Sequence, residues 1–355
     1  MTFVVAILGL ILLIVVHELG HMLTAKALGV SVPEFGVGFG PAILKRKLGD
    51  TTYSFRIILL GGFAKMKGME DIASVARERG EVASDSYPAK ALWRRALIIF
   101  AGPFANVLAA VALLAGALMV SGEVTGVRPV VAEVEAGSMA DEVGIRPKDR
   151  LVAIDGERIG GWRAFSEGIA SRQPGEEVAI TVRRDGEERT FTGELGRNPE
   201  DPEQALVGVR PELEVTTYGP IEATGLAVER IVRVTGALGA FVGQLVTGEQ
   251  SFYENVSGPV GIATIGSESV EGGFFIQLLA FISLNLAIFN LLPILPLDGG
   301  HLLFIALEKI LGRPVSQETM GKVAALGVAL VLALFLFATY ADLSKIVTGQ
   351  PFIPE

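Results

Sequence analysis

The chain reads as a polytopic α-helical membrane protein with an α+β domain inserted between its spans, and three observations predict this. Half of the 355 residues are hydrophobic and only 19% are charged, a balance rare in a soluble chain of this size. Four runs approach the roughly 20 apolar residues that a spanning helix needs: Phe3 to about Ala27, Ala96 to Val120, Phe274 to about Leu292, and Val323 to Tyr340. Between the second and third runs, Gly122 to Gly273 is too long for a connection and must hold a domain.

The first span, residues 1–28, contains "IVVHELGHMLTAKAL". Ionisable side chains at membrane depth are costly, so two histidines and a glutamate there point to function. A cleaved signal peptide is not expected, because no basic region precedes the apolar core and no small-residue cleavage site follows it. Residues 29–95 form a loop that carries Lys45, Arg46, Lys47, Lys90, Arg94 and Arg95, with Lys26 just before it; the twenty residues before Phe274 have no Lys or Arg. Basic residues favour the cytoplasmic side, which places this loop inside and the N-terminus outside. Within the loop, "YSFRIILLGGFAKMKGME" is strand-like on both sides of a Gly61-Gly62 break.

The second span, 96–120, leads into the outer domain. From Glu123 to Glu214 there are 20 Asp or Glu against 12 Lys or Arg. No basic face is available for phosphates, so a nucleic-acid partner is excluded. Short alternating strands, Asp155-Gly156 and Asp185-Gly186 turns and one helix near Trp162 to Ser171 make this region α+β. Residues 220–248 predict an amphipathic helix with Ile231, Val234, Leu238, Val242 and Leu245 on one face. Charges at its middle favour a helix on the membrane surface or against the spans rather than a fifth span. The third span is expected over 274–298, ending near Lys309 and Arg313 on the cytoplasmic side, and the fourth over 321–345.

The chemistry lies in the first span. The chain has no cysteine and only three histidines, so a transition-metal site must use His17, His21 or His301 with carboxylates. His17 and His21, spaced i, i+4, fall on one helix face, the geometry in which two imidazoles hold one zinc, and Glu18 beside them is placed to take a proton from the attacking water. A third ligand is wanted at similar depth. "NLLPILPLDGGHLL" supplies two candidates, Asp298 and His301, in broken backbone of the kind tolerated at membrane depth only where it faces protein or a cavity. The residues alone leave both open.

The stretches "AGSMADEVGIRPKDRLVAIDG" and "EEVAITVRRDGEERTF" resemble a bacterial-type PDZ domain over 125–212. Together with "HELGH", "AGPFANVLAA", "SGPVGIA" and "NLLPILPLDGGHL", in that order, they make the chain similar to the site-2 protease family of intramembrane zinc metalloproteases, in its regulator-of-sigma-E branch. That resemblance implies one Zn2+ per chain on His17, His21 and Asp298, with Glu18 as the general base and His301 outside the ligand set. It further implies substrate contacts at Asn290 and, more weakly, Asn285. It makes the stretch around Gly61 and Gly62 a membrane-associated β-hairpin able to pair with an extended substrate, and places a carboxylate loop near Gly144 and Ile145. The implied partners are the lipid bilayer and single-pass membrane proteins, such as anti-sigma factors or remnant signal peptides. The implied location is a bacterial cytoplasmic membrane, with the PDZ domain outside and the active site toward the cytoplasm. Some members carry two tandem PDZ domains; this chain has room for one. The competing expectations are a catalytically silent PDZ scaffold, against which the intact motif counts, and a broken-helix transporter, against which the lack of repeat symmetry counts.

Overall fold

The computed structural model describes residues 2–69, 83–198, 201–249, 258–271 and 273–348. It divides into two units, residues 1–117 with 219–355, and residues 118–218.

In the first unit, α1 (Thr2–Ala27) leads into β1 (Glu34–Leu48) and β2 (Thr51–Lys65), and α2 (Leu92–Val120) follows. Of the 29–95 loop, residues 70–82 lie outside the described residues. After the second unit come α5 (Pro220–Thr247), α6 (Pro259–Glu271), α7 (Phe275–Asn290), α8 (Asp298–Leu311) and α9 (Gln317–Thr348). Among the described residues, three helices are long and apolar enough to cross a membrane, Val4–Ala27, Leu92–Val120 and Glu318–Thr348.

The expected third span needs correction. Its helix stops at Asn290, 16 residues long, and Asp298 opens a separate helix instead of ending the same one. Pro293 and Pro296 lack the N–H that would continue the ladder and push the residues before them out of helical geometry.

The expected hairpin is also more than a hairpin. Residues 44–48 pair with 55–51 as its two arms, but residues 34–37 are flanked on both sides, by 52–55 and by 65–62. The result is a curled sheet of four runs in the order 62–65, 34–37, 52–55 and 44–48. Gly38 and Gly40 make this possible: both have positive φ, +89° and +80°, and turn β1 aside in mid-course. Gly61 and Gly62 do not break β2, which runs through them. The base of this sheet is cemented to the helices by Met22, Val30, Val32, Phe35, Ile98 and Ile305, all buried in one cluster.

On α5 the buried stripe is Ala223, Ala227 and Ile231, spaced by four, and Ile231 meets Ala110 of α2 and Leu284 of α7. Of the face expected from the sequence, Ile231 and Val234 join this contact.

The second unit holds β3 (Glu123–Val134), α3 (Met139–Val143), β4 (Arg150–Ile154), β5 (Glu157–Arg158), α4 (Trp162–Ala170), β6 (Glu177–Arg184), β7 (Glu187–Glu194), β8 (Gly196–Arg197), β9 (Ala205–Leu206) and β10 (Val209–Thr216). The main sheet runs β10-β3-β4-β6-β7, with β5 on β4. Val178, Ile180 and Val182 alternate along β6 into a core shared with Ile154, Phe165 and Ile169, the period-2 and i, i+4 patterns of a half-buried strand and helix. Asp185 and Gly186, both at positive φ, close the β6–β7 hairpin, matching the type I′ preference for Asp-Gly.

Candidate metal centre

The outer apolar length of α1 brings His17 and His21 to the level where α2 crosses it closely. A side chain at Gly20 would strike the Ala101 carbonyl, and one at Gly102 would strike the His21 ring. Small residues on both helices allow this approach. Both imidazoles are buried and stand edge to face, 4.8 Å between centroids.

The third member arrives from α8. The side-chain-free Gly299 lets the turn before it fold onto the carbonyls of Leu291 and Leu292, which seats Asp298 in the first turn of its helix. The Asp298 Oδ2 atom lies 3.1 Å from His17 Nε2 and 3.3 Å from His21 Nε2, and the two Nε2 atoms are 3.2 Å apart. Four ligands around a zinc with bonds of about 2.0–2.1 Å lie about 3.3 Å from one another, so the three donors are spaced as three corners of that tetrahedron.

Electrostatics point the same way. His21 Nδ1 is 2.9 Å from the Ile98 carbonyl. It must be the N–H, because a carbonyl only accepts, and in the neutral ring Nε2 is then a bare lone pair. A lone pair facing a carboxylate oxygen repels it unless a cation lies between. Asp298 Oδ2 is buried with no hydrogen-bond partner among the described residues, an orphan that a metal ion would satisfy. The donor set of two imidazoles and one carboxylate is one that zinc takes.

Behind His17 stands Asn106, fully buried on α2, with its amide nitrogen 3.4 Å from His17 Nδ1 and its Oδ1 without a hydrogen-bond partner among the described residues. Exchanging the amide N and O, which are interchangeable assignments, pairs Oδ1 with Nδ1–H and leaves Nε2 free toward Asp298. The backbone carbonyl of Asn106 accepts from Ser283 Oγ of α7 at 2.8 Å. Sequence reasoning passed over both residues; the available signal was a lone amide in the apolar run "AGPFANVLAA".

Glu18 faces the curled sheet. Gly62 lacks the Cβ that would stand 2.9 Å from Glu18 Cγ and so adjoins the site, whereas Gly61 lies against the Phe39 ring. His301 sits in the first turn of α8 but outside the three-donor cluster. Asn290 donates to the Leu286 carbonyl of its own helix at 2.9 Å, and Asn285 is half-buried on α7.

Gly144 and Ile145 do not form an anion-binding loop. The Gly144 N–H bonds the carbonyl of Asp141 and the Ile145 N–H that of Ala140, closing α3, while the Gly144 carbonyl accepts Arg184 and the Ile145 side chain is in the core. A peptide carboxylate would find both donors already engaged.

The profile of Peptidase family M50 matches residues 5–334. The chain belongs to this family. The M50 assignment agrees with relatives along nearly the whole length. Zinc metalloprotease RasP of Geobacillus kaustophilus is 30% identical over 94% of this chain and 95% of its own. The candidate zinc metalloprotease Atu1380 of Agrobacterium fabrum is 34% identical over 96% and 95%. A solved PDZ domain, of the SdrC-like protein from Listeria monocytogenes, aligns with 24% of this chain and 86% of that one at 21% identity and a TM-score of 0.22. As an M50 peptidase of the site-2 protease group, the chain is a membrane metalloprotease that uses zinc.

Proposed function

We propose that the chain is an intramembrane endopeptidase that binds zinc through His17, His21 and Asp298, uses Glu18 as its general base, and cuts the transmembrane segments of single-pass proteins in a bacterial cytoplasmic membrane. The observation that carries this reading is the mutual 3.1–3.3 Å spacing of three donor atoms, one of them orphaned, two of which stand on α1, a helix long and apolar enough to span. Zinc held there supplies Lewis acidity and lowers the pKa of a water toward neutrality. Glu18 takes the proton from the attacking water on its carboxylate and passes it to the leaving amine.

A substrate helix hides its peptide bonds and must be opened before attack. The run 62–65 pairs with 34–37 and brings Gly62 against Glu18, so a strand laid along its other edge would bring its peptide bond to the base. Asn290, with its amide oxygen uncommitted to the Leu286 contact, is the candidate to orient that strand. The basic loop residues put the site toward the cytoplasm and residues 118–218 outside. Read as a PDZ domain, that unit excludes substrates with bulky ectodomains by size rather than capturing a trimmed C-terminus at Gly144 and Ile145, whose donors are engaged. Deleting it should then admit untrimmed substrates.

The decisive experiment pairs zinc content with cleavage of a trimmed single-pass substrate by the full-length protein in bilayers. Glu18→Gln should retain one zinc per chain and lose turnover by at least about 100-fold, the scale of a general base. Wild-type turnover by Glu18→Gln would overturn the mechanism.

A further inference from the structure

Helix α8 carries the proposed third ligand at one end and an acid at the other. Asp298 opens it and Glu308 lies in its last turns, about 15 Å along the axis at 1.5 Å per residue. Both Glu308 oxygens accept from Arg95 Nη1, at 3.1 and 3.0 Å, and the two side chains are only 16% and 19% exposed. The Arg95 guanidinium lies 5.2 Å over the buried Tyr87 ring. Its Nε is buried with no hydrogen-bond partner among the described residues.

Arg95 stands at the start of α2, the helix whose Ile98 carbonyl orients His21 and whose Asn106 faces His17. Two of the three donors are therefore referred directly to α2. The third is referred locally only to backbone: Gly299 lies against the carbonyls of Leu291 and Leu292 and Gly300 against Leu295, while the residue before α8, Leu297, gives no side-chain cap. Beyond the first turn α8 is held by apolar packing at Leu302 and Ile305 and by the ion pair of Glu308 with Arg95.

We propose that Arg95 is a positioning residue for the metal centre, setting the tilt and rotation of α8 through Glu308 and thereby the place of the Asp298 carboxylate relative to His17 and His21. The inference rests on the reading of those three residues as ligands. Metal sites hold distances to within about 0.2 Å, whereas a tilt of about 4° about the Glu308 end of a 15 Å lever moves Asp298 by about 1 Å. A grip on both carboxylate oxygens restricts that tilt; a simple apolar contact such as Ile305 slides more readily.

The test uses the full-length protein, purified without metal in detergent, with zinc affinity measured by chelator competition and coordination by the visible absorption of the cobalt(II)-loaded form. The variants are Arg95→Met, isosteric Glu308→Gln, the double variant, and Val32→Ala as a change in the same buried cluster, off α8, that lowers stability without touching the pair. Each single variant of the pair should weaken zinc binding by about 10-fold or more, the range of outer-shell effects, and weaken or shift the cobalt bands. The double variant should be no worse than the worse single, and Val32→Ala should bind as the wild type does. Wild-type affinity and cobalt spectra in both singles would overturn the proposal, and so would an equal loss in Val32→Ala, which would make the effect one of stability alone. Failure of the wild type to bind, or undiminished binding by His21→Ala, would instead remove the ligand assignment beneath it.

Discussion

An asparagine with no exposed surface in an apolar helix is retained against the cost of burying an amide, about 1–3 kcal/mol when a partner is missing, and Asn106 Oδ1 has no hydrogen-bond partner among the described residues. Its place behind His17 accounts for that cost: with Oδ1 turned to Nδ1–H it selects the tautomer that presents Nε2 to Asp298. Asn106→Leu should therefore lower zinc affinity about 10- to 100-fold, whereas Asn106→Asp, which keeps an acceptor for Nδ1–H, should retain most of it. Equal affinity in Asn106→Leu and wild type, by chelator competition, would show that His17 needs no such partner. At this scale the sequence was informative where spacing encodes chemistry. His17, Glu18 and His21 share one helix and their relation follows from 3.6 residues per turn. Asp298 is 277 residues from His21 in sequence, and its choice over His301 rests on how far α8 is driven into the turn at Leu291, which no local pattern encodes. Asn106 was illegible because a buried amide in a span serves equally well as a helix-to-helix bond.

Among the elements, the strands of the second unit were the most legible and the curled sheet the least. Alternation in β6 and the Asp-Gly turn are local signals. The pairing of 34–37 with both 52–55 and 62–65 depends on a turn inside β1 that reads in sequence only as two spaced glycines. The loop once expected to bind a carboxylate shows what a local motif can conceal. Arg184 reaches across from β6 to Asp149, at 2.7 and 2.6 Å, and Asp149 also accepts the Arg146 N–H at 2.8 Å. Burial works to raise the Asp149 pKa, but these hydrogen bonds outweigh it and hold the carboxyl below the usual carboxylate range. A depressed folded pKa gives stability that is fully present above the unfolded value of about 3.9 and is lost as pH falls through the folded value. Asp149→Asn should accordingly destabilise residues 118–218 by about 2 kcal/mol at pH 7, the scale of losing hydrogen bonds between charged groups, and the gap to wild type should narrow below about pH 4. Hydrogen exchange in the full chain at pH 7 and near pH 3 measures it; a gap of undiminished size in acid would show that Asp149 does not control this acid response.

At the scale of the whole molecule, two units of opposite character share one chain: spans with long uncharged stretches, and an inserted unit that carries most of the net −9 charge. Net acidity does not decide sidedness, because the topological rule counts Lys and Arg near span ends and is nearly blind to Asp and Glu. The orientation therefore depends on Lys26, Lys90, Arg94 and Arg95 flanking the first two helices, and on the absence of basic residues over 254–273. On the proposed orientation that absence puts the segment before α7 outside, and α8 with Lys309 then returns to the face that holds Arg95, the partner of Glu308. Since the chain lacks cysteine, single cysteines report without background. Ser84, Ser171 and Ser316 are all exposed, so a difference in labelling cannot be put down to burial in the fold. In intact cells, Ser171→Cys should react with a membrane-impermeant thiol reagent, while Ser84→Cys and Ser316→Cys should react only after the membrane is opened. Labelling of Ser84→Cys from outside would invert the topology, put the zinc ligands toward the outer face, and leave the second unit unable to screen ectodomains.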